Sequence, residues 1–219
     1  MAQTAPYVPA LRFRWLTPVF DAVLAVTLPE RAMKRRLVTQ AGLRAGDRVL
    51  DVGAGTGTLA LMLQEVEPKA RVVGIDGDPE ILAIARQKAA QAASQVQLVE
   101  GMAHALPFPA ASFERVVSSL VLHHLSREDK CRALAEVRRV LRPGGTLHLL
   151  DWGKAQDPLM RVAFLSVQLL DGFATTTDNV QGALVPLMEQ AGFLGVTETH
   201  RRRTVFGTLS LYRAEAPSA

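Results

Sequence analysis

Short apolar runs alternate with segments of helical length through the middle of the chain. The runs 48–52 and 71–76 suit strands buried on both faces, and each precedes a segment with helical spacing of apolar residues. These helices are predicted over 58–65 and 79–92, and further strands over 96–100, 113–119 and 146–151. The alternation predicts an α/β fold, with a mainly parallel sheet covered by helices on both faces.

The segments on either side of this core complete the same domain. Helices are predicted over 20–28, 30–41, from Ser126 to Pro143, over 159–170 and over 180–191, and final strands over 196–202 and 204–213. Residues 171–179 are predicted to form a lid loop. We interpret residues 1–219 as one domain, with an N-terminal helical lid segment (1–46), a ligand-binding core (47–151) and a substrate-side part (152–219).

The composition predicts a globular protein from a reducing compartment. The one cysteine, Cys131, excludes an intramolecular disulfide and a thiolate zinc site; we interpret it as a half-buried, inert thiol and expect no metal site. The chain start lacks the order of a signal peptide, and no apolar run is long enough for a membrane span. We therefore predict a cytoplasmic protein.

Two basic clusters stand out against a net charge of only +4. Residues 34–36 read Lys-Arg-Arg, and residues 200–203 read His-Arg-Arg-Arg. Such clusters can contact the phosphates of RNA or a lipid surface. Their places on a predicted helix and at a strand end favour solvated faces instead, so we expect no nucleic-acid partner.

A glycine turn follows the first strand of the predicted sheet. Gly53, Gly55 and Gly57 lie where ligands bind in open α/β sheets, and glycine lets a ligand approach the main chain. A dinucleotide fingerprint needs glycine at its sixth position, which here is Thr58, and no Lys-Ser/Thr pair of a P-loop follows. Asp76, which ends the second strand, is suited to hold a ribose, although it also fits a turn.

Four segments together make the chain recognisable. They are residues 49–57, 74–76, 105–125 and 136–145, and they follow one another in order across residues 48–151. This set resembles the class I S-adenosylmethionine (SAM)-dependent methyltransferases, in particular the group that includes the ubiquinone/menaquinone-biosynthesis enzymes. The resemblance implies a doubly wound, Rossmann-like, seven-stranded sheet of order 3-2-1-4-5-7-6, with strand 7 antiparallel.

The resemblance also implies a role for individual residues in binding SAM, with S-adenosylhomocysteine as the product. The residues expected at the methionine end are Asp51, Gly53, Ala54, Gly55, Gly57, Ser119 and Leu120, of which Asp51 would fix the amino group. The residues expected at the adenosine end are Asp76, which would hold the ribose, and Gly77, Met102, Ala103 and Leu106 near the adenine. Many relatives have an aspartate where this chain has Met102, whose thioether is only a weak acceptor.

Three side chains near the predicted cofactor site are candidate catalytic groups. His123 and His124 follow the fourth strand, and Asp151 ends the fifth. A general base would assist transfer to a hydroxyl or a carbon acid. The alternative is that the histidines pack at a helix start and that Asp151 anchors the substrate.

The acceptor pocket is expected from the less regular parts of the chain. Trp15, Phe20, Asp21, Trp152 and the apolar helix 159–170 are candidates for its walls, although that helix could equally be core or a dimer face. These residues predict a small, partly hydrophobic acceptor. A SAM-binding protein without catalysis and an RNA methyltransferase are the alternatives.

Overall fold

The computed structural model describes residues 30–218, which contain one seven-stranded sheet of order β3-β2-β1-β4-β5-β7-β6. The strands are β1 (Arg48–Val52), β2 (Arg71–Asp76), β3 (Gln97–Glu100), β4 (Phe113–Ser119), β5 (Leu141–Trp152), β6 (Leu194–Thr204) and β7 (Gly207–Glu215). β1 to β5 pair in parallel, and β7 is antiparallel to both β5 and β6. The predicted fold class and strand order are confirmed.

Helices cover both faces of this sheet. They are α1 (Glu30–Ala41), α2 (Thr58–Val66), α3 (Pro79–Gln91), α4 (Arg127–Val140), α5 (Pro158–Ala163), α6 (Leu165–Asp171), α7 (Phe173–Gln181) and α8 (Leu184–Gln190). Two separate apolar cores result, because successive strand residues point to opposite faces. Leu50 packs in the core that α4 and α8 cover, and its neighbour Val49 packs in the core under α1 and α2.

The parallel strands bring their carboxyl ends to one edge of the sheet. β1 lies between β2 and β4, with Asp51 paired in register with Gly74 on one side and Val117 on the other. β5 is the next strand beyond β4 and ends with Asp151 and Trp152. Residues that are far apart in sequence therefore meet at this edge, where ligands bind in such sheets.

The prediction of a lid loop over 171–179 was wrong, because most of this segment is helix α7. Threonine has modest helix propensity, but the hydroxyls of Thr175, Thr176 and Thr177 each donate a hydrogen bond to a carbonyl of the preceding turn. Asp178 and Asn179 are buried on the inner side of the helix, with charged and polar partners. These tertiary contacts outweigh the local preference for a loop.

Several predicted boundaries also differ from the structure. The predicted helix over 180–191 is interrupted at Gly182, whose φ of +81° ends α7 before α8 begins, and the predicted apolar helix 159–170 is divided into α5 and α6. β5 begins at Leu141 rather than at Thr146, with the Pro-Gly-Gly segment inside a register shift against β4. Cys131 is exposed, not half-buried.

The described residues also bear on the expectations for membranes and for the pocket wall. Within residues 30–218, no helix combines the length and the apolar character that a membrane crossing requires. Three predicted pocket residues, Trp15, Phe20 and Asp21, and the predicted helix 20–28 lie outside the described residues.

Candidate functional site

The turn after β1 has the backbone conformation that its glycines allow. Gly53, Gly55 and Gly57 have φ values of +71°, +53° and +76°, in the left-handed region that disfavours side chains. The amides of Gly53 and Ala54 both donate to the carbonyl of Ile75, at 2.8 and 2.9 Å, which fastens the turn to β2. A Cβ added at Gly53 would lie 2.2 Å from the nearest methyl of Val121, whereas one at Gly55 would meet nothing within 4 Å. The turn therefore exposes main chain at Gly55.

Asp51, two residues before this turn, is a buried carboxylate without a partner. Its side chain belongs to a residue only 1% exposed, and neither oxygen has a hydrogen-bond partner among residues 30–218. Burial, partly offset by the Lys34 ammonium, raises the pKa of Asp51 from 3.8 to about 7; the Asp76 carboxylate adds to the rise, and the nearby backbone amide of Ala60, at the start of α2, opposes it. An unpaired buried carboxylate is costly, which marks this position as one prepared for a positively charged or donor group.

Asp76 lies across the turn with half of its acceptor capacity in use. One carboxylate oxygen accepts the amide of Gly55 at 2.8 Å, and the other accepts the amide of Asp78 at 3.0 Å. A carboxylate offers about four lone-pair sites, so each oxygen can accept one further donor. The side chain is thus both a turn residue and able to accept the two hydroxyls of a ribose.

The residues expected around the adenine are brought together in part. Met102, which is 38% exposed, lies over Gly77: a Cβ added at Gly77 would meet its sulfur at 2.6 Å. Leu106 is buried, and Ala103 packs partly buried against the same core. Met102 therefore offers a polarizable, apolar surface at the position where relatives have an acidic acceptor.

An ion pair on α4 fixes the loop that carries these residues. The amide of Leu106 donates to Glu136 at 2.8 Å, and Arg139 donates to the carbonyls of Leu106 and Phe108 at 3.0 and 2.7 Å. Arg139 also donates to Glu136, at 2.7 Å. The two side chains satisfy loop backbone groups, a role that the sequence analysis did not predict although both lie in the last of the four segments.

The end of β4 presents backbone to the same edge of the sheet. Leu120 has a φ of +60°, an uncommon value for a residue with a side chain, and its amide donates to Leu150 at 2.8 Å. The hydroxyl of Ser119 is buried and has no hydrogen-bond partner within residues 30–218. Backbone strain and an unpaired hydroxyl at one place are typical of a binding site.

His123 and Asp151 form a buried pair just beyond this turn. His123 lies in a 3-10 turn, Leu122–His124, and its Nδ1 is 2.7 Å from Oδ1 of Asp151. Because an ionised carboxylate only accepts hydrogen bonds, Nδ1 carries the proton and Nε2 of a neutral ring is the free acceptor. Both side chains are at most 5% exposed.

Asp151 is held by further donors besides His123. The amides of Leu122 and Trp152 donate to its carboxylate at 2.8 and 2.7 Å, and the carboxamide of Asn179 on α7 donates at 3.0 Å. Burial alone would raise the pKa of Asp151. The charge and hydrogen bond of His123, together with the Trp152 amide, instead hold it below its ordinary value. Asp151 is therefore an ionised group that orients the imidazole.

The open side of this pair faces two more titratable groups and an aromatic wall. Asp171, at the end of α6, has an oxygen 3.7 Å from Nε2 of His123, and the ring of His124 lies 3.9 Å from that of His123 between centroids. Burial raises the pKa of Asp171, an effect that His123 opposes and the Asp151 charge adds to. Trp152 contacts the His123 ring edge-on, at 6.4 Å between centroids. All three predicted catalytic residues thus lie in one cluster.

Known proteins resemble this chain in sequence and in fold. A model of the methyltransferase domain matches residues 49–145. The ubiquinone/menaquinone biosynthesis C-methyltransferase UbiE of Teredinibacter turnerae is 32% identical over 184 residues, which cover 74% of this chain and 73% of that protein. The chain belongs to the class I SAM-dependent methyltransferases.

Further comparisons show how much of the length of known relatives this chain matches. The demethylmenaquinone methyltransferase of Thermus thermophilus is 44% identical over 119 residues, 54% of this chain and 53% of that protein. The chain thus spans about half the length of the first curated relatives that it matches. The YcgJ protein of Bacillus subtilis superposes with a TM-score of 0.69 at 18% identity, covering 86% of this methyltransferase and all of that chain, which shows the shared fold.

The site fits the cofactor that membership of these methyltransferases implies. The buried, unpaired Asp51 suits the ammonium of the methionine part, and the open main chain at Gly55 suits its approach. Asp76 keeps two acceptor sites for ribose hydroxyls. Met102 offers packing for the adenine ring but no carboxylate acceptor. The family and the geometry therefore agree on SAM.

A buried ion pair of this methyltransferase, Lys130 with Asp178, lies next to the helix that contributes Asn179 to the His123 cluster. Lys130 on α4 is fully buried, and its ammonium donates to Asp178 of α7 at 3.4 Å and to the Thr175 carbonyl. Arg127 donates to the other oxygen of Asp178 at 2.6 Å. These contacts fix the helix that carries Asn179. The sequence analysis missed them because it assigned the helix to a loop.

The basic clusters contain several local ion pairs. Lys34 pairs with Glu30 at 2.6 Å within α1, and Arg203 pairs with Asp157 at 2.9 Å. Arg201 pairs with Glu198 on the same strand. Ion pairs of this kind are typical of solvated faces.

Proposed function

We propose that this chain transfers a methyl group from SAM to a small, partly hydrophobic acceptor of the quinone class. The observation that carries the proposal is the unpaired, buried carboxylate of Asp51 beside the glycine turn, in a chain of this family. A buried carboxylate with a pKa near 7 costs stability unless a cation offsets it, and the ammonium of SAM is such a cation.

The acceptor class follows from the named relatives and from the groups around His123. The relatives are demethylmenaquinone and ubiquinone/menaquinone methyltransferases. Trp152 contacts the His123 ring at 6.4 Å between centroids and packs edge-on against Phe164 at 5.4 Å, so the surroundings of His123 are apolar and aromatic, as an aromatic acceptor prefers. We therefore infer a hydroxylated aromatic acceptor, the reduced form of a quinone, since a quinone ring itself is electron-poor and a weak nucleophile.

His123 is the group we assign to the acceptor's proton. When bound, SAM would supply a methyl group on a positively charged sulfur: a ring carbon made electron-rich by the ionised hydroxyl would take up the methyl as the sulfur–carbon bond breaks to leave S-adenosylhomocysteine, and that carbon would then release its own proton to solvent, which restores the aromatic ring. Nε2 of His123 is the free ring nitrogen and accepts the hydroxyl proton. The charge that develops on the imidazole is then stabilised by Asp151 at 2.7 Å.

Calorimetry tests the cofactor half of the proposal. We expect the purified chain to bind SAM and S-adenosylhomocysteine in the micromolar range, without competition from NAD. Asp76→Ala should abolish this binding, and Asp47→Asn is the matched control, because that aspartate lies before β1 and its carboxylate accepts the Arg44 amide. A folded parent protein that binds neither ligand at millimolar concentration would overturn the proposal.

A transfer assay with labelled SAM tests the acceptor half. We expect label to enter a reduced naphthoquinone, and we expect His123→Gln to lower the rate about 10²–10⁴-fold while leaving SAM affinity within about twofold. Parent protein that binds SAM but labels no hydroquinone would contradict the acceptor class. It would favour a SAM-binding protein without this catalysis.

A further inference from the structure

His123, His124 and Asp171 bring three metal-ligating side chains to one place. One ligand atom from each lies within 4.8 Å of the others, and within residues 30–218 no other group of three or more His, Cys, Asp or Glu side chains meets this condition. We propose that these three side chains form a binding site for one divalent transition-metal ion of the zinc class.

The spacing suits a single ion at the centre of the three ligands. Zn²⁺ is bound at about 2.0–2.2 Å by imidazole nitrogen and carboxylate oxygen, which places neighbouring ligand atoms roughly 3–4 Å apart. Nε2 of His123 and the Asp171 oxygen are 3.7 Å apart. His124, whose ring centroid lies 3.9 Å from that of His123, supplies the third ligand atom within 4.8 Å of the other two.

The hydrogen bonds on the Nδ1 side of His123 are those that usually orient a metal-ligating histidine. Such histidines almost always donate the other ring N–H to a carboxylate or carbonyl, which fixes the tautomer and the ring orientation. Here Nδ1 of His123 donates to Asp151, and the amides of Leu122 and Trp152 and the carboxamide of Asn179 hold that carboxylate. Nε2 is thereby left on the side of Asp171, whose oxygen lies 3.7 Å away.

The ligand types indicate which ion the site takes. Two imidazoles and one carboxylate suit zinc and neighbouring transition metals, whereas calcium and magnesium prefer all-oxygen sites. Three protein ligands leave at least one coordination position open, and His124 and Asp171 are only partly covered. An ion there would complete its coordination with water or a small oxygen ligand.

The site has a consequence that rests on the proposed function. Nε2 of His123 is the atom assigned to the acceptor's proton, and a nitrogen that binds a metal ion has no lone pair left for a proton. The metal-bound form is therefore unable to use His123 as a base. We expect Zn²⁺ to inhibit methyl transfer without weakening SAM binding.

Metal titration in the absence of SAM tests the site directly. The full chain, stripped with a chelator, is titrated with Zn²⁺ by calorimetry and with Co²⁺ by visible absorption. We expect one ion per chain with micromolar or tighter affinity. His124→Gln and Asp171→Asn each remove a ligand, so the loss of affinity should be at least the about 10–100-fold that losing an outer-shell partner costs. His200→Gln changes a partly exposed histidine on β6; it is the matched control and should bind as the parent does.

The outcomes separate this proposal from the proposed function. No saturable binding by the folded parent at 100 µM metal, or binding that His124→Gln and Asp171→Asn leave unchanged, would overturn the metal site. Binding lost in His200→Gln instead would also overturn it. None of these results bears on SAM calorimetry, so a failure of SAM binding would refute the methyltransferase proposal and leave the metal result standing.

Discussion

Replacing Asp51 by asparagine should stabilise the fold at high pH. The pKa of this buried carboxyl is raised from 3.8 to about 7, and each pH unit between the two values corresponds to ~1.4 kcal/mol. Between these values the folded state keeps a proton that the unfolded state has released. The free energy of unfolding of the parent therefore falls as the pH rises through this window, by about 4 kcal/mol in all.

The assay is urea unfolding of parent and Asp51→Asn at matched pH values from 4 to 8. Other titrating groups are common to both proteins and cancel in the difference. An unpaired buried amide has its own cost, roughly 1–3 kcal/mol, but this cost does not change with pH. We therefore expect the stability of the variant, relative to the parent, to rise by about 4 kcal/mol from pH 4 to pH 8.

For Asp151→Asn, at the end of β5, the expected pH dependence of stability has the opposite sign. His123 and the Trp152 amide hold the pKa of Asp151 below its ordinary value despite burial, so its ionised form stabilises the fold above that ordinary value. We expect this variant to be less stable than the parent at pH 7, with a deficit that shrinks as the pH falls towards and below the ordinary carboxyl range.

A stability difference for Asp51→Asn that stays constant from pH 4 to pH 8 would refute the reasoning, because it would mean that the carboxylate is solvated or already paired. The cofactor gives a second check. If the ammonium of SAM binds ionised Asp51, the SAM affinity of the parent should rise about tenfold per pH unit below pH 7 and level off above it. Calorimetry at several pH values measures this slope.

Three further substitutions test other parts of the site and the fold. Gly53→Ala should cost roughly 2–4 kcal/mol in denaturant unfolding, because its Cβ would overlap Val121, whereas Gly55→Ala, with open space at a similar φ, should cost only about 1–2 kcal/mol. His148→Gln should remove an acid sensitivity: burial, then Arg213 and Arg115, lower the pKa of this imidazole to about 3, so parent stability is lost as the pH falls below 6.5. Asn179→Ala should lower kcat more than it changes KM in steady-state assays.

The sheet was predictable because its strands are defined by local apolar runs. The bounds of β1, β2 and β4 agree with the sequence prediction to the residue. Each is flanked by turn residues, so the signal needs no knowledge of the rest of the chain. The strand order was available only through the resemblance, because pairing between distant strands leaves no local trace.

Helix α7 was not predictable for a physical reason. Its threonines have little intrinsic preference for a helix, and the segment begins after Gly172. What stabilises it is the burial of Asp178 and Asn179 against Lys130, Arg127 and Asp151, and these contacts join residues 28 to 51 positions apart along the chain. Local sequence therefore predicts a loop, and only the folded context makes the segment a helix.

In the candidate site, too, the sequence identified residues but not the contacts that they make. The sequence pointed to Asp51 and Asp151 as separate functional candidates, one before the glycine turn and one at the end of β5. In the structure they lie at the ends of β1 and β5, the two strands that flank β4. They differ in the number of hydrogen-bond donors around the carboxylate. Asp151 has four donors and is ionised, whereas Asp51 has no hydrogen-bond partner within residues 30–218.

The proposed function explains why these two aspartates differ in their hydrogen-bond partners. Under the proposed function Asp151 orients His123 during methyl transfer, and permanent donors suit that role because no ligand neutralises the carboxylate. A carboxylate that must receive a cation is best left unpaired, because any internal partner would compete with that cation. If SAM binds as proposed, the stability lost at Asp51 in the free protein is recovered on binding, so this buried carboxylate is where we expect affinity for SAM to be concentrated.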